Sequence, residues 1–147
     1  MRTSWTSARS VAAAALLAAV LAGTAACSSD GAPAGDVAQE SSATTLDAAA
    51  FGERVAEPDV VVLDVRTPEE FAAGHLPGAV NANLESGTFT DDLAALDPAA
   101  TYAVYCRSGN RSAQALGIMQ DAGFDDVAHL DGGIAAWAQA GGVVVTD

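Results

Sequence analysis

The sequence predicts an α/β domain with a small, mostly parallel five-stranded sheet and helices on both faces. Short apolar runs alternate along the chain with segments of helical periodicity, which is typical of parallel strands joined by helices. The run at residues 60–65 is apolar at nearly every position, as expected of a strand buried on both faces. The 147 residues suit one such domain and leave no room for a second catalytic domain.

Five segments have the composition of short strands. Each is rich in apolar or β-branched residues, and turn-forming residues lie near its ends. In chain order they are residues 60–65, 79–83, 101–106, 127–130 and 143–145.

The clearest helix start follows the first of these strands. Thr67 has the properties of a helix cap, and Glu70, three residues later, completes a capping box. Pro68 stands in the first turn, where its missing N–H costs nothing. This helix is expected to run to about Ala73.

Other helices follow from apolar residues spaced three and four apart. Gly123 ends one such pattern, as a residue that readily adopts the left-handed conformation. The predicted segments are residues 111–122 and 134–141, with two shorter helices at 47–54 and 91–96.

The first 26 residues have the pattern of an export signal. Arg2 and Arg9 precede an apolar run at residues 11–22, and small residues follow it. Because a membrane-spanning helix takes about 20 apolar residues, no retained transmembrane helix is expected. We predict a signal peptide at residues 1–26, a flexible tether at 27–43 and a folded domain at 44–147.

The segment from Thr24 to Cys27 resembles a bacterial lipobox, although Thr24 stands where lipoboxes usually have leucine. In a lipobox the cysteine is lipidated and becomes the new N-terminus. The resemblance implies that Cys27 anchors the protein to the outer face of a bacterial cytoplasmic membrane. Ordinary cleavage between small residues, which would give a secreted or periplasmic protein, is the alternative.

Charge and composition exclude several classes of function. The net charge is −13, and all 19 acidic residues follow Cys27. Such a chain repels nucleic acids and anionic lipid headgroups, so only a lipid anchor would attach it to a membrane. The absence of lysine excludes Schiff-base chemistry and a Walker-type phosphate site. Two histidines without clustered ligands predict no metal site.

Cys106 ends the strand predicted at residues 101–106, and a helix is predicted to begin near Arg111. In open parallel sheets, ligands bind beside the carboxyl ends of the strands, which is where Cys106 is predicted to lie. The N-terminus of a helix carries unpaired N–H groups and a partial positive charge, both of which stabilise a thiolate. Cys106 is therefore the candidate nucleophile.

The loop after Cys106 combines positive charge with hydrogen-bond donors. Arg107 and Arg111 flank it and are expected to bind an anion. Gly109 permits a turn that is closed to other residues. The remaining loop side chains can donate hydrogen bonds inward or cap the helix; they are Ser108, Asn110 and Ser112.

The segment CRSGNRS, residues 106–112, resembles the active-site loop of single-domain rhodanese sulfurtransferases. Two further segments are similar to that family: LDVRTPEEFAAGHLPGAVNA at residues 63–82 and GFDDVAHLDGGIAAW at residues 123–137. The resemblance covers roughly residues 46–145 and implies a rhodanese-like fold.

This resemblance implies sulfur transfer in two steps, without a cofactor. Cys106 would take sulfane sulfur from a small anionic donor such as thiosulfate, hold it as a persulfide, and pass it to cyanide, a thiol or a protein acceptor. The loop amides would stabilise the sulfur anion. Arg107 and Arg111 would bind the donor and its leaving group.

Four residues outside the loop are expected to support it. Asp64, Arg66 and Glu70 are interpreted as charged groups that brace the strand end against the capped helix, rather than as catalytic groups. His75, in the segment GHLPG, is expected to lie in a turn with its imidazole hydrogen-bonded.

Two other functions fit the same loop. Phosphatases and arsenate reductases of related fold have a loop one residue longer, whereas four residues separate Cys106 from Arg111 here. A shorter loop makes a pocket better matched to a sulfur atom than to a tetrahedral oxyanion. A non-enzymatic persulfide carrier or sensor would use the same residues as the enzyme.

Overall fold

Strands and helices alternate along the part of the chain that the structure describes. It is a computed structural model that describes residues 42–146. The strands are β1 (Ser42–Leu46), β2 (Val61–Asp64), β3 (Val80–Asn81), β4 (Thr101–Tyr105) and β5 (Asp126–Leu130). The helices are α1 (Ala48–Val55), α2 (Pro68–Ala72), α3 (Phe89–Leu93), α4 (Asn110–Asp121) and α5 (Gly133–Gln139).

The strands form one five-stranded sheet in the order β1-β5-β4-β2-β3, with every neighbouring pair parallel. The prediction of a small, mostly parallel sheet is confirmed. β4 is the central strand, so the residue that follows Tyr105 lies at the middle of the carboxyl edge. That residue is Cys106.

Both faces of the sheet are covered, as predicted. Leu63 and Val104 pack with Met119 of α4 in one cluster of buried side chains. Ala103, next to Val104 in β4, packs with Phe51 of α1 in a second cluster. Successive residues of a strand point to opposite faces, so these two clusters are the cores on the two sides of the sheet.

The capping box at the start of α2 is formed. The Thr67 hydroxyl oxygen accepts a hydrogen bond from the Glu70 amide, and a Glu70 carboxylate oxygen accepts one from the Thr67 amide, each over 3.3 Å. The helix ends at Ala72, one residue before its predicted end.

The predicted strand at residues 143–145 is not part of the sheet. Val145 makes only an isolated antiparallel bridge to His75, with amide-to-carbonyl distances of 2.8 and 2.9 Å. Val143 and Val144 are 61% and 42% exposed, so their apolar composition does not reflect burial in a sheet. This segment instead ties the C-terminal end of the chain to the turn after α2.

The fifth strand of the sheet is β1, which begins within the last two residues predicted as tether. Its sequence, SATTL, contains no apolar run. β1 lies at the sheet edge beside β5, where a strand has one neighbour and needs less apolar surface. Composition alone therefore gave no sign of a strand here, and residues 42–43 resembled a linker.

The predicted signal peptide, Cys27 and most of the predicted tether lie outside the described residues. Between residues 42 and 146, no helix combines the length and apolarity that a membrane span requires.

Candidate active site at the carboxyl end of β4

The loop that follows β4 is held from behind by the start of α5. The Ile134 amide donates to the Cys106 carbonyl oxygen over 2.8 Å, and the Ala135 amide donates to the Arg107 carbonyl oxygen over 3.3 Å. Gly133 lies so close to the loop that an added Cβ would overlap the Cys106 carbonyl oxygen and come within 2.6 Å of the Ser108 nitrogen. The backbone of the loop is thus set by direct contact with α5.

Gly109 turns the loop into α4. Its φ of 94° is in the left-handed region, and it occupies the N-cap position of the helix. A Cβ there would be strained at this φ and would lie only 3.0 Å from the Gly132 nitrogen, so glycine is favoured at this position. In this conformation the Gly109 amide points into the loop and donates to Cys106 Sγ over 3.1 Å.

The Cys106 thiol is enclosed by hydrogen-bond donors. The residue is only 1% exposed, and burial by itself raises the pKa of the thiol. The amide and hydroxyl of Ser112 and the amides of Ser108 and Gly109 donate toward the sulfur and lower the pKa. The donors outweigh burial, so the thiol pKa lies below its ordinary value.

A first prediction concerns this thiol. Alkylation of Cys106 by iodoacetamide, followed against pH, should show a midpoint below that of free cysteine, about 8.5, because only the thiolate reacts. Rates are measured by mass spectrometry, with free cysteine as the reference. A midpoint at or above the reference would show that the loop amides do not stabilise the anion.

The sequence and the fold are similar to those of known proteins. Residues 47–140 match the family model described as the Rhodanese-like domain. The chain belongs to the rhodanese-like domain family.

Relatives of this rhodanese-like chain differ in size. A sulfurtransferase of Allochromatium vinosum is 35% identical over 97 residues, which cover 65% of this chain and 89% of that protein. A tRNA uridine(34) hydroxylase of Acaryochloris marina is 34% identical over 93 residues, 60% of this chain but only 30% of that protein. The chain thus spans less than a third of that larger relative.

Solved structures of rhodanese-like proteins share the architecture. A rhodanese-related protein from Thermoplasma volcanium superposes with a TM-score of 0.63 at 30% identity, covering 71% of this chain and 99% of the other. The sheet and its helices are therefore those of the family.

Arg111, predicted to bind the anionic donor, forms salt bridges with two carboxylates. Its guanidinium donates to both carboxylate oxygens of Glu70 over 2.7 and 2.9 Å, and to Glu85 over 3.0 Å. The hydrogen bonds from Arg111 lower the pKa of Glu70, which therefore stays ionised. The positive charge expected at this end of the loop is offset in the structure.

Arg107 presents its charge differently. It is exposed, and no carboxylate among residues 42–146 lies within salt-bridge distance of it. Ser108 and Asn110 are also exposed on the loop, whereas Gly109 is buried. Of the two loop arginines, Arg107 is thus the one with a cationic group open to a ligand.

The predicted brace consists of Asp64 and Arg66, and among residues 42–146 no hydrogen bond joins either side chain to Cys106 Sγ. Both are buried, and the Arg66 guanidinium donates to both carboxylate oxygens of Asp64, the shortest contact being 2.6 Å. The same guanidinium donates to the Gly74 carbonyl over 2.7 Å and so ties the end of β2 to the end of α2. Glu70 is not part of this pair, because it binds Arg111.

His75 stabilises the turn in which it was predicted to lie. Its Nδ1 is 3.0 Å from the Phe71 carbonyl oxygen, and its ring stacks on Phe71 with centroids 3.8 Å apart. Across the described ranges, no three metal-binding side chains lie together.

Sequence reasoning assigned no role to two residues that contact the loop. Gly133 lies in the segment at residues 123–137 that resembles the family. The pair Gly132-Gly133 was the one signal in the sequence that two backbone segments approach closely here. His129 lies in the strand predicted at residues 127–130, and that position alone indicates no role. Its Nδ1 lies 3.2 Å from Ser112 Oγ, which in turn lies 3.6 Å from Cys106 Sγ.

Proposed function

We propose that this rhodanese-like domain is a sulfurtransferase that carries sulfane sulfur as a persulfide on Cys106. The observation that supports it most is the set of donors around Sγ, led by the Gly109 amide at 3.1 Å. Such an arrangement stabilises a sulfur anion before the reaction and after it. The name of the Allochromatium vinosum relative supports the same reaction class.

The proposed reaction has two steps. The Cys106 thiolate attacks the outer sulfur of thiosulfate; an S–S bond forms to Sγ, the S–S bond of thiosulfate breaks, and sulfite leaves with the electron pair. Cyanide, a thiol or a protein acceptor then attacks the outer persulfide sulfur, and the Cys106 thiolate leaves. With cyanide the product is thiocyanate, and the enzyme returns to its starting state.

The burial of the Cys106 sulfur favours small molecules as sulfur donors. Cys106 is buried, while Ser108 and Asn110 of the same loop are exposed, so a donor must pass the loop to reach the sulfur. A compact anion can pass the loop more easily than a large substrate. Arg107 supplies positive charge that acts on the donor at contact range. The repulsion by more distant acidic residues is weaker, because salt screens charges beyond about 8 to 10 Å.

Incubation with thiosulfate should add the mass of one sulfur atom to Cys106 and support thiocyanate formation from cyanide. The control is Cys106→Ser, which should show neither. A stable adduct with little turnover would indicate the persulfide carrier or sensor instead. Hydrolysis of p-nitrophenyl phosphate without thiosulfate activity would overturn the proposal in favour of a phosphatase.

A second prediction uses the carboxylates around Arg111. Glu85→Gln should raise kcat/KM for thiosulfate about two- to fivefold, because it removes one negative charge beside the loop. Glu85 is 60% exposed, so folding should change little. Glu57→Gln is the matched control, since Glu57 is 55% exposed and pairs with Arg54 away from the loop. Equal kcat/KM in both variants would show that Glu85 does not oppose the donor.

We also propose that the domain works outside the cytoplasm, held by a lipid on Cys27. The support is the signal-like segment at residues 1–26 and its lipobox-like end. Globomycin, which blocks lipoprotein signal cleavage, should cause a precursor to accumulate in a bacterial host. A Cys27→Ala chain should not show this response. Normal processing of the wild type under globomycin would contradict the anchor.

A further inference from the structure

A line of side-chain contacts runs from the edge strand to the catalytic sulfur. Thr45 Oγ1 of β1 lies 3.0 Å from His129 Nε2, and His129 Nδ1 lies 3.2 Å from Ser112 Oγ. Ser112 Oγ then lies 3.6 Å from Cys106 Sγ. The pairing of β4 with β5 sets Val104 opposite His129, which places the imidazole beside the start of α4. The middle residues are buried, with Ser112 at 0% and His129 at 6% exposure.

Ser112 has one hydroxyl hydrogen and three neighbours that can accept it. These are Cys106 Sγ, the Gly109 carbonyl oxygen at 3.0 Å and His129 Nδ1. If His129 Nδ1 carries no hydrogen, it can accept the Ser112 hydroxyl hydrogen and so competes with the sulfur for it. If Nδ1 carries a hydrogen, it donates to Ser112 Oγ, and only the sulfur and the Gly109 carbonyl oxygen still compete for the hydroxyl hydrogen. Of these two, a thiolate is the charged acceptor and so the stronger one. The tautomer of His129 therefore decides whether the imidazole competes with the sulfur for the side-chain donor.

Few charged groups act on His129. Burial lowers the pKa of its imidazole, whereas the charge of Asp131, just after β5, and a backbone hydrogen bond to Leu130 raise it. Burial has the larger effect, so the pKa lies below its ordinary value. Cys106 faces it across Ser112, while β1 contributes the Thr45 hydroxyl. The arginines of α1 and α4 bind carboxylates, Arg54 with Asp126 and Arg111 with Glu70, and neither contributes to the pKa shift of His129. A neutral imidazole at neutral pH follows.

We propose that His129 is a positioning residue for Cys106, which donates from Nδ1 to Ser112 and directs the Ser112 hydroxyl hydrogen to the sulfur. Thr45 then donates to Nε2, so every hydrogen bond in the line points toward the thiolate. The negative charge on the sulfur favours this direction, because each donor is polarised by the next. The proposal deepens the proposed function, since sulfur transfer needs this thiolate, but it is tested on the thiol itself.

The first test compares two replacements of the imidazole. The amide of asparagine can occupy the place of Nδ1 and donate to Ser112, whereas that of glutamine reaches the place of Nε2. At a pH below the thiol pKa, iodoacetamide should alkylate His129→Gln about fivefold or more slowly than wild type. His129→Asn should stay within about twofold of wild type. A rate within twofold of wild type for His129→Gln would overturn the proposal.

A double substitution separates a positioning role from a structural one. Ser112→Ala alone should slow alkylation, because it removes the donor. Adding His129→Gln to Ser112→Ala should then slow it no further, since His129 acts through the lost hydroxyl. An equal loss in both backgrounds would mean that His129 acts on Cys106 by another route, and the proposal would fail.

The second test needs no substitution and so does not depend on the folding of a variant. Nitrogen-15 NMR of the histidine side chains in the wild-type protein should show His129 with a protonated Nδ1 and an unprotonated Nε2. A protonated Nε2 with an unprotonated Nδ1 would overturn the proposal. Neither readout requires turnover, so a protein that fails to transfer sulfur would refute the proposed function while leaving this test intact.

Discussion

Gly133→Ala is expected to lower thiosulfate-dependent sulfur transfer by about 100-fold or more. An added Cβ would overlap the Cys106 carbonyl oxygen and press on the Ser108 amide, so the loop must move away from α5. The φ of 58° at this position adds strain for any residue with a Cβ. A displacement of about 1 Å at a reacting group can cost about 100-fold in rate. Because the displaced amides stabilise the thiolate, the alkylation midpoint of Cys106 should also rise.

Gly141 provides a control that distinguishes the effect of steric overlap from that of backbone strain. Gly141, at the other end of α5, also has a positive φ, of 84°, but an added Cβ there meets nothing within 4 Å. Gly141→Ala should therefore lose stability by about 1 to 2 kcal/mol through strain and keep its turnover per folded molecule. Activity and thermal unfolding are measured on both variants. If Gly133→Ala transferred sulfur as well as Gly141→Ala, contact with α5 would not shape the loop.

Local patterns were enough to predict most of the sheet and the position of Cys106 at the end of β4. Cys106 and its loop are contiguous in the chain, so their spacing is visible in the sequence. The buried strands β2 and β4 have apolar runs because helices cover both faces of the sheet. β1 escaped prediction because an edge strand of serine, alanine, threonine and leucine has no such run.

Contacts between distant segments could not be predicted in this way. Arg111 reaches Glu70 and Glu85 across 41 and 26 residues, and no local pattern pairs them. His129 reaches Ser112 only because the register of β5 against β4 puts it there. One signal was visible: a histidine within the apolar strand at residues 127–130 needs polar partners once it is buried.

Arg66→Met is expected to lower the free energy of unfolding by about 3 to 5 kcal/mol, the largest loss of stability among the changes considered. The substitution leaves Asp64, which is 0% exposed, as a buried carboxylate without its cation. It also removes the hydrogen bond to the Gly74 carbonyl that joins β2 to the end of α2. Urea unfolding followed by circular dichroism measures the loss.

Two variants show whether the buried pair is the cause. Arg54→Met makes the same substitution in a partly exposed pair, since Arg54 and Asp126 side chains are 20% and 36% exposed. It should cost about 0 to 1 kcal/mol. Adding Asp64→Asn to Arg66→Met should recover part of the loss, because the amide carries no charge and still offers an acceptor to the backbone. Since Arg66 makes no hydrogen bond to residues 106–112 among the described residues, Arg66→Met should keep its sulfur transfer per folded molecule. A stable Arg66→Met protein without activity would instead place Arg66 in the reaction.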